Sequence, residues 1–168
     1  MPAILVDWGG DMHQMQIGLV ALLGTPPYGY IAVVSSGKEF PFGGDNSPAP
    51  SQEGKPPLAP YADAIAQIAH SHVAVLIDRG TTSSGEFTAI AFNGLAYAPL
   101  FGTPSAGFVT TNSSFNLPDG AVLALSVGWS SDRLHRVYHE ALKPDEPSAP
   151  GQPTIDAAVK WLTSQHCR

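Results

Sequence analysis

The sequence predicts an α/β domain with a largely parallel sheet and flanking helices. Short β-branched apolar runs alternate along the chain with amphipathic helical stretches, an order typical of this class. The chain has 168 residues, enough for one hydrophobic core, and no internal repeat. Its 17 glycines and 16 prolines predict many loops between short elements. We therefore expect a single domain over residues 1–168.

Each element follows from a local pattern. Apolar runs at 3–7, 30–34, 73–77 and 121–127 predict strands, and the run 96–100 precedes the last of them. Asp11 is placed to cap a helix that continues to residue 23, where Gly24 would end it. Further helices are predicted at 61–70 and 87–92, and Thr154 is placed to cap a final helix over 155–164.

Residues 41–60 are dominated by proline, glycine, serine and asparagine. They lack any periodicity, so we expect a long surface loop. A loop of this length in a compact domain is often functional, and a disordered insertion is an equally good interpretation.

Composition and charge exclude several classes of function. The net charge of -6 argues against nucleic acid and anionic membranes as partners. No apolar run reaches the length of a membrane span, and no secretory signal pattern is visible at the N-terminus. The single cysteine, Cys167, excludes an internal disulfide framework and a cysteine-rich metal site. We expect no cofactor, and the compartment is left open.

A corner rich in small hydroxyl residues follows the 73–77 strand. Ser83 and Ser84 lie there, just before the 87–92 helix, where free backbone N–H groups and the helix dipole favour negative charge. An acyl-transfer nucleophile needs such donors for its oxyanion. The structural alternative is that one serine only caps the helix. Glu86 either accepts hydrogen bonds from backbone N–H groups of the corner or is a buried acid.

A second corner, Gly9-Gly10, follows the first strand. Sites in open α/β sheets form outside the carboxyl ends of the strands. If the first and third strands are neighbours, both corners open into one crevice. The backbone N–H groups of Gly9 or Gly10, with that of Ser84, would then form an oxyanion hole for Ser83. The alternative for the two glycines is an ordinary tight turn.

Four segments, in order, resemble motifs of the tail-specific (C-terminal-processing) serine peptidase family, which includes the tricorn protease. Residues 81–86 (TTSSGE) resemble its nucleophile segment. Residues 101–112 resemble its G-x-P-T-x-G segment, 117–125 its L-x-D-G-x-x-L strand, and 142–145 its V-x-P-D end. The resemblance implies a crotonase/ClpP-like core, Ser83 as nucleophile, and oxyanion donors from a glycine and from Ser84.

The chain departs from the family pattern where the base would be. Phe108 stands where the bacterial processing peptidases have a lysine, so their Ser-Lys dyad is absent. The family's D-x-R-x-N-x-G-G loop is shortened here and lacks the arginine and asparagine. The tricorn-like branch uses a histidine from a more N-terminal region. Within this chain His13 is the best candidate base, and Glu140 or Asp132 would orient it.

The other histidines are weaker candidates. His135 and His139 have the i,i+4 spacing that suits zinc on a helix, but their segment looks like a strand or loop and the nearby arginines disfavour a cation. His70 and His72 lie at the opposite end of the central strand, and His166 lies in the C-terminal tail. We expect no metal site.

The leading interpretation is a serine hydrolase that cleaves a peptide or a small acyl ester. Two alternatives remain open. One is a catalytically silent domain that binds a ligand or a partner, since the interphotoreceptor retinoid-binding protein carries related domains that hold apolar ligands. The other is a half-site completed by another chain, for which a homodimer is the simplest form.

Overall fold

The computed structural model describes residues 3–6, 9–43, 63, 66, 68–69 and 71–165. Its strands are β1 (Ala3–Val6), β2 (Gly29–Val33), β3 (Glu39–Phe42), β4 (Val73–Ile77), β5 (Leu100–Gly102), β6 (Thr110–Asn116), β7 (Val122–Asp132) and β8 (Glu146–Pro147). The described helices are α1 (Met12–Gly18), α2 (Val20–Leu23), α3 (Ser84–Phe92) and α4 (Gln152–Ser164).

The strands form two four-stranded sheets. One has the order β1-β4-β5-β8, and all of its pairs are parallel. The other has the order β3-β2-β7-β6, and all of its pairs are antiparallel. The mixed α/β class is confirmed, but the prediction of a largely parallel sheet describes only the first sheet. Short turns join β2 to β3 and β6 to β7, and turns of that length permit only antiparallel pairing.

The central strand β4 of the parallel sheet is buried on both faces. Its side chains alternate between two apolar clusters, as successive residues of a strand must. Val73, Val75 and Ile77 belong to a cluster that includes α3. Ala74 and Leu76 pack with Ala158 and Leu162 of α4. A parallel strand covered on both faces needs a continuous apolar sequence, which is the run that predicted this strand.

Several predicted boundaries were wrong. The expected helix from 11 to 23 is broken at Leu19, so it becomes α1 and α2. The expected loop over 41–60 begins too early, because Pro41 and Phe42 belong to β3. Gly151, not Thr154, precedes α4, and the Thr154 hydroxyl donates to the Ala149 carbonyl from inside the helix. The rest of that loop, and most of the predicted 61–70 helix, lie outside the described residues.

Strands β6 and β7 extend beyond the rest of the antiparallel sheet as a ribbon. Phe115, Leu123 and Leu125 are each more than 40% exposed on it. The predicted 121–127 strand is the outer half of β7, and β6 was not predicted, because its sequence is largely polar. Within the described part of the chain, no helix is long and apolar enough to cross a membrane.

Candidate active site

Ser83 lies between the carboxyl end of β4 and the first residue of α3. Its backbone is in the left-handed half of conformational space, with φ 48° and ψ -117°, and the residue is exposed. Only Ser83 and His135 combine a side chain with positive φ in the described residues. A sharp turn of this kind between strand and helix presents a serine hydroxyl to substrate in many hydrolases. Ser84 follows as the first residue of α3, where the backbone N–H has no intrahelical partner.

The loop before Ser83 is held by its own hydrogen bonds. The Asp78 carboxylate accepts from the Gly80 N–H at 2.7 Å, and the Thr81 N–H donates to the Asp78 carbonyl at 2.9 Å. Thr81 is buried, and its hydroxyl accepts from the Asp78 N–H. Asp78 is thus engaged by its own turn rather than by an ion pair with Arg79. The nucleophile candidate therefore follows a turn that is closed by hydrogen bonds.

The Gly9-Gly10 corner and the Ser83 corner lie next to each other, as predicted. Strands β1 and β4 are adjacent and parallel, with Val6 opposite Leu76. Gly9 approaches the loop so closely that an added Cβ would lie 2.8 Å from the carbonyl oxygen of Thr82. Gly9 and Gly10 both have positive φ, at 128° and 147°. The Gly9 backbone therefore lies beside Thr82, the residue that precedes Ser83.

Glu86 anchors the Ser83 corner and fills both of the roles that the sequence predicted for it. Its side chain is fully buried, and one oxygen accepts from the Ser83 N–H at 2.9 Å. The other accepts from the Ser105 hydroxyl at 2.5 Å and from the Gly107 N–H at 2.7 Å. Glu86 is thus both a buried acid and an acceptor for backbone N–H groups. It joins the nucleophile corner to the segment that follows β5.

His13 belongs to α1, and its side chain lies outside the described residues. Helix α1 packs against α3, so the backbone that carries His13 runs beside the helix whose N-terminus holds Ser83. The role of His13 as the base stays a prediction. Phe108, at the position of the family lysine, is 65% exposed.

The structure places Glu140 in a different setting from Ser83. Glu140 is exposed and lines a cavity of about 750 Å³ that also contains Asn93, at the end of α3 opposite Ser83. No described contact links Glu140 to the Ser83 corner. Asp132, the alternative, is fully buried and accepts from Arg136 at 2.7 Å and from the Tyr138 hydroxyl at 2.8 Å. Asp132 therefore orders its own turn.

This cluster around Asp132 shifts two pKa values. The hydrogen bond to Asp132 raises the pKa of Arg136 above its ordinary value. Burial, followed by the hydrogen bond to Asp132, raises the pKa of Tyr138. The Tyr138 hydroxyl also accepts from the Asn93 side chain at 2.8 Å. Asp132 thus forms its ion pair with Arg136 rather than with its sequence neighbour Arg133.

Three of the remaining histidines contact aromatic rings, whereas His70 and His166 lie outside the described residues. His135 stacks on Tyr30 and lies 2.5 Å from a Glu39 carboxylate oxygen, whereas His139 meets the edge of Trp129. His72 packs against Trp161. The segment 133–136 is a turn, so His135 and His139 do not share a helix face. Among the residues that are described, no group of three or more metal-ligating side chains comes together.

Sequence reasoning missed Ser105 and Gly107 as parts of the site. Ser105 is buried, donates to Glu86, and accepts from the Leu142 N–H at 2.8 Å. Gly107 has φ 91° and approaches Ala141 closely. Both lie in the segment that resembles G-x-P-T-x-G. That motif was the available signal, although it did not reveal the contact with Glu86.

Comparison with known proteins shows the family of this chain. The model of peptidase family S41 matches residues 8–148, most of the chain. The chain belongs to peptidase family S41. The resemblance to the tail-specific serine peptidases is thereby confirmed, and the S41 match extends from the Gly9-Gly10 corner to the end of β8.

Relatives of this S41 chain are longer than it is. The nisin-resistance protein of Lactococcus lactis subsp. lactis is 31% identical over 162 residues, which cover 94% of this chain and 47% of that protein. A lipoprotein structure from Streptococcus agalactiae is 27% identical, with a TM-score of 0.75, and the match covers 98% of this chain and 55% of that one. The chain therefore spans about half the length of these relatives.

A third relative shows the fold alone. The structure of a protein described as a peptidase from Parabacteroides merdae has a TM-score of 0.60 at 17% identity. The match covers 92% of this S41 chain and 48% of that chain.

Proposed function

We propose that this chain is the catalytic core of a serine peptidase in which Ser83 is the nucleophile. The observation that carries the proposal is the exposed, left-handed backbone of Ser83 at the N-terminus of α3, directly after a buried parallel strand. Membership of peptidase family S41 supports the same reaction class. The nearby Gly9 backbone supplies the second side of the site.

The proposed reaction divides peptide hydrolysis into two steps. The Ser83 hydroxyl oxygen attacks the carbonyl carbon of the scissile bond while its proton passes to a base, for which His13 is the candidate. Backbone N–H groups of Ser84 and of Gly9 or Gly10 donate to the oxyanion that forms. The C–N bond then breaks, the amine leaves with the proton, and water hydrolyses the acyl-serine.

Glu86 is a positioning residue in this scheme. It accepts from the Ser83 N–H, so that N–H points into the protein and away from the substrate. The Ser84 N–H, one residue later, then lies at the exposed start of the helix. An oxyanion donor must face the substrate. With the Ser83 N–H directed inward and the Ser84 N–H outward, Ser84 is the residue placed to supply that donor.

The natural substrate class that we propose is a peptide. The relative at 31% identity is named for nisin resistance, so nisin is the first peptide to test. Small acyl esters are a second class. An activated ester needs no extended contacts to hold it in register, so it reports on Ser83 directly.

The test is hydrolysis followed by mass spectrometry. Nisin and a p-nitrophenyl ester are each incubated with the wild-type chain, Ser83→Ala, and Ser114→Ala, which removes an exposed serine of the β6–β7 ribbon. We expect turnover by the wild type and Ser114→Ala, and loss of at least a hundredfold in Ser83→Ala. Equal turnover by Ser83→Ala, or no turnover of either substrate by the folded wild type, would contradict the proposal.

The half-site alternative predicts a different concentration dependence. If a second chain completes the site, specific activity rises with protein concentration in the range where the dimer forms. A constant specific activity supports a site complete within one chain.

A further inference from the structure

A cavity of about 650 Å³ opens at the carboxyl edge of the parallel sheet. The loop after β4 supplies Asp78 and Arg79, and the segment after β5 supplies Pro104 and Ala106. Ala141 and Pro150 also line this cavity. The wall is therefore mainly small and apolar, with charge from one loop only.

This cavity adjoins the Ser83 corner. The Ala106 N–H donates to the carbonyl of Thr81 at 3.0 Å, so the cavity wall and the nucleophile loop are hydrogen-bonded to each other. Glu86 adds a second connection, because it accepts both from the Ser83 N–H and from the Ser105 hydroxyl. A substrate attacked by Ser83 would extend past this cavity on one side of the scissile bond.

Arg79 is the cation of the cavity, and it is exposed. Its neighbour Asp78 already accepts from the Gly80 N–H, and no carboxylate among the described residues forms an ion pair with Arg79. Other described arginines are engaged: Arg133 donates to two backbone carbonyls and Arg136 pairs with Asp132. Among the described arginines, Arg79 is thus the one whose guanidinium has no carboxylate or carbonyl partner.

We infer that this cavity binds a carboxylate of the peptide substrate through the Arg79 guanidinium. Arginine presents paired N–H donors that match a carboxylate, and the apolar wall is suited to the carbon chain that carries it. The inference rests on the proposed peptidase function and adds a substrate preference. The carboxylate comes either from the C-terminus of the peptide or from an aspartate or glutamate side chain.

The experiment compares matched peptides and matched variants. A peptide that the chain cleaves is prepared with a free C-terminus, as its C-terminal amide, and with each acidic side chain replaced by its amide. These are assayed with the wild type, Arg79→Gln, Arg79→Lys, and the control Lys143→Gln, which removes an exposed cation from the other cavity.

We expect the wild type to prefer one carboxylate form by roughly tenfold in kcat/KM, as a charge-assisted hydrogen bond would give. Arg79→Gln should abolish the preference, Arg79→Lys should retain part of it, and Lys143→Gln should leave it unchanged. Loss with the C-terminal amide identifies a C-terminal carboxylate, and loss with a side-chain amide identifies an acidic residue.

The outcomes separate this inference from the peptidase proposal. If Ser83-dependent cleavage proceeds equally well on all peptides, or Arg79→Gln retains the preference, the inference is wrong and the peptidase proposal stands. If no cleavage depends on Ser83, binding of fluorescent acid and amide forms of nisin is measured by anisotropy. Tighter binding of an acid form that needs Arg79 supports the cavity assignment, and equal binding overturns it.

Discussion

Ser83 has a backbone conformation that residues with a side chain rarely adopt. Values of φ 48° and ψ -117° lie in a region that glycine tolerates and that costs other residues of the order of 1–3 kcal/mol. A strained backbone persists only where the surrounding structure stabilises it. Here the Glu86 carboxylate accepts a hydrogen bond from the Ser83 N–H. Ser83 is also the N-cap of α3 and forms a capping box with Glu86, so helix capping accounts for a hydroxyl residue here as well as the proposed nucleophile role does.

Replacing Ser83 by glycine should therefore stabilise the fold. We expect Ser83→Gly to raise the free energy of unfolding by about 1 kcal/mol in urea denaturation, because the strain outweighs both the entropy cost of glycine and the few tenths of a kcal/mol lost with the Ser83 cap. The matched change Ser114→Gly, in extended strand β6, should lower it by a similar amount. A loss of stability in Ser83→Gly would show that the conformation carries no strain.

Removing the Glu86 side chain should be severe. Glu86→Ala leaves the Ser83 N–H, the Gly107 N–H and the Ser105 hydroxyl without their shared acceptor. We expect unfolding to become easier by about 3 kcal/mol or more, since each lost charged hydrogen bond costs roughly 1.5–3 kcal/mol. Glu140→Ala, an exposed glutamate, should change it by no more than about 0.5 kcal/mol. Similar values for the two variants would refute the anchoring role.

At the scale of elements, Arg133 joins the ends of two helices. Its guanidinium donates to the Leu23 carbonyl at the end of α2, at 3.2 Å, and to the Ala91 carbonyl in the last turn of α3, at 2.7 Å. Burial lowers the pKa of Arg133, while nearby Tyr97, Tyr28 and Asp132 oppose that effect. A cation here also suits the negative end of each helix dipole.

Replacing Arg133 by methionine tests whether its guanidinium stabilises the two helix ends. Methionine keeps an apolar stem but leaves both carbonyls without the donor, so we expect a loss of about 1–3 kcal/mol in the free energy of unfolding. Lys160→Met, an exposed cation on α4, serves as the control and should be nearly neutral. If both variants unfold at the same denaturant concentration, Arg133 does not hold the helix ends.

Local patterns predicted the elements whose burial is uniform. The five apolar residues of β4 predicted a strand covered on both faces, and the observed strand has the same bounds. Strand β6 reads TTNSSFN and gave no such signal, because it is a sheet edge that is largely exposed. Without β6, the second sheet could not be recognised from sequence as antiparallel.

The candidate site was predictable where its residues are close in sequence. Ser83, Ser84 and Glu86 lie within one turn of a helix, so their grouping follows from the local string. Ser105 and Gly107 bond to Glu86 from 19 and 21 residues away, and only the fold places them there. Gly9 reaches the same corner because β1 pairs beside β4, a pairing that the sequence suggested but did not require.

At the scale of the whole molecule, polar networks connect separate parts of the fold. The Asp132 cluster joins β7 to the segment that follows α3, through Tyr138 and Asn93. Burial raises the pKa of Tyr138 above its ordinary value of about 10. The fold thus favours the neutral phenol, so its contribution is fully present below the unfolded pKa of about 10 and is lost as the pH rises toward the folded pKa.

Stability should therefore fall in alkaline solution through Tyr138. We expect the free energy of unfolding of the wild type to decline more steeply between pH 9.5 and 11 than that of Tyr138→Phe, which has no phenol to ionise. Tyr138→Phe should itself be less stable at pH 8, since its hydrogen bonds to Asp132 and Asn93 are lost. Parallel pH profiles for the two proteins would show that the hydroxyl does not contribute to the alkaline loss.

The central claim is that the corner between β4 and α3 activates Ser83. Intact-mass spectrometry after exposure to a fluorophosphonate tests it most directly, on the wild type, Ser83→Ala, His13→Ala and the control Ser114→Ala. We predict one adduct on the wild type and on Ser114→Ala, none on Ser83→Ala, and slower labelling of His13→Ala if His13 is the base. A folded wild-type chain that takes no adduct, or an adduct that survives Ser83→Ala, would contradict the account.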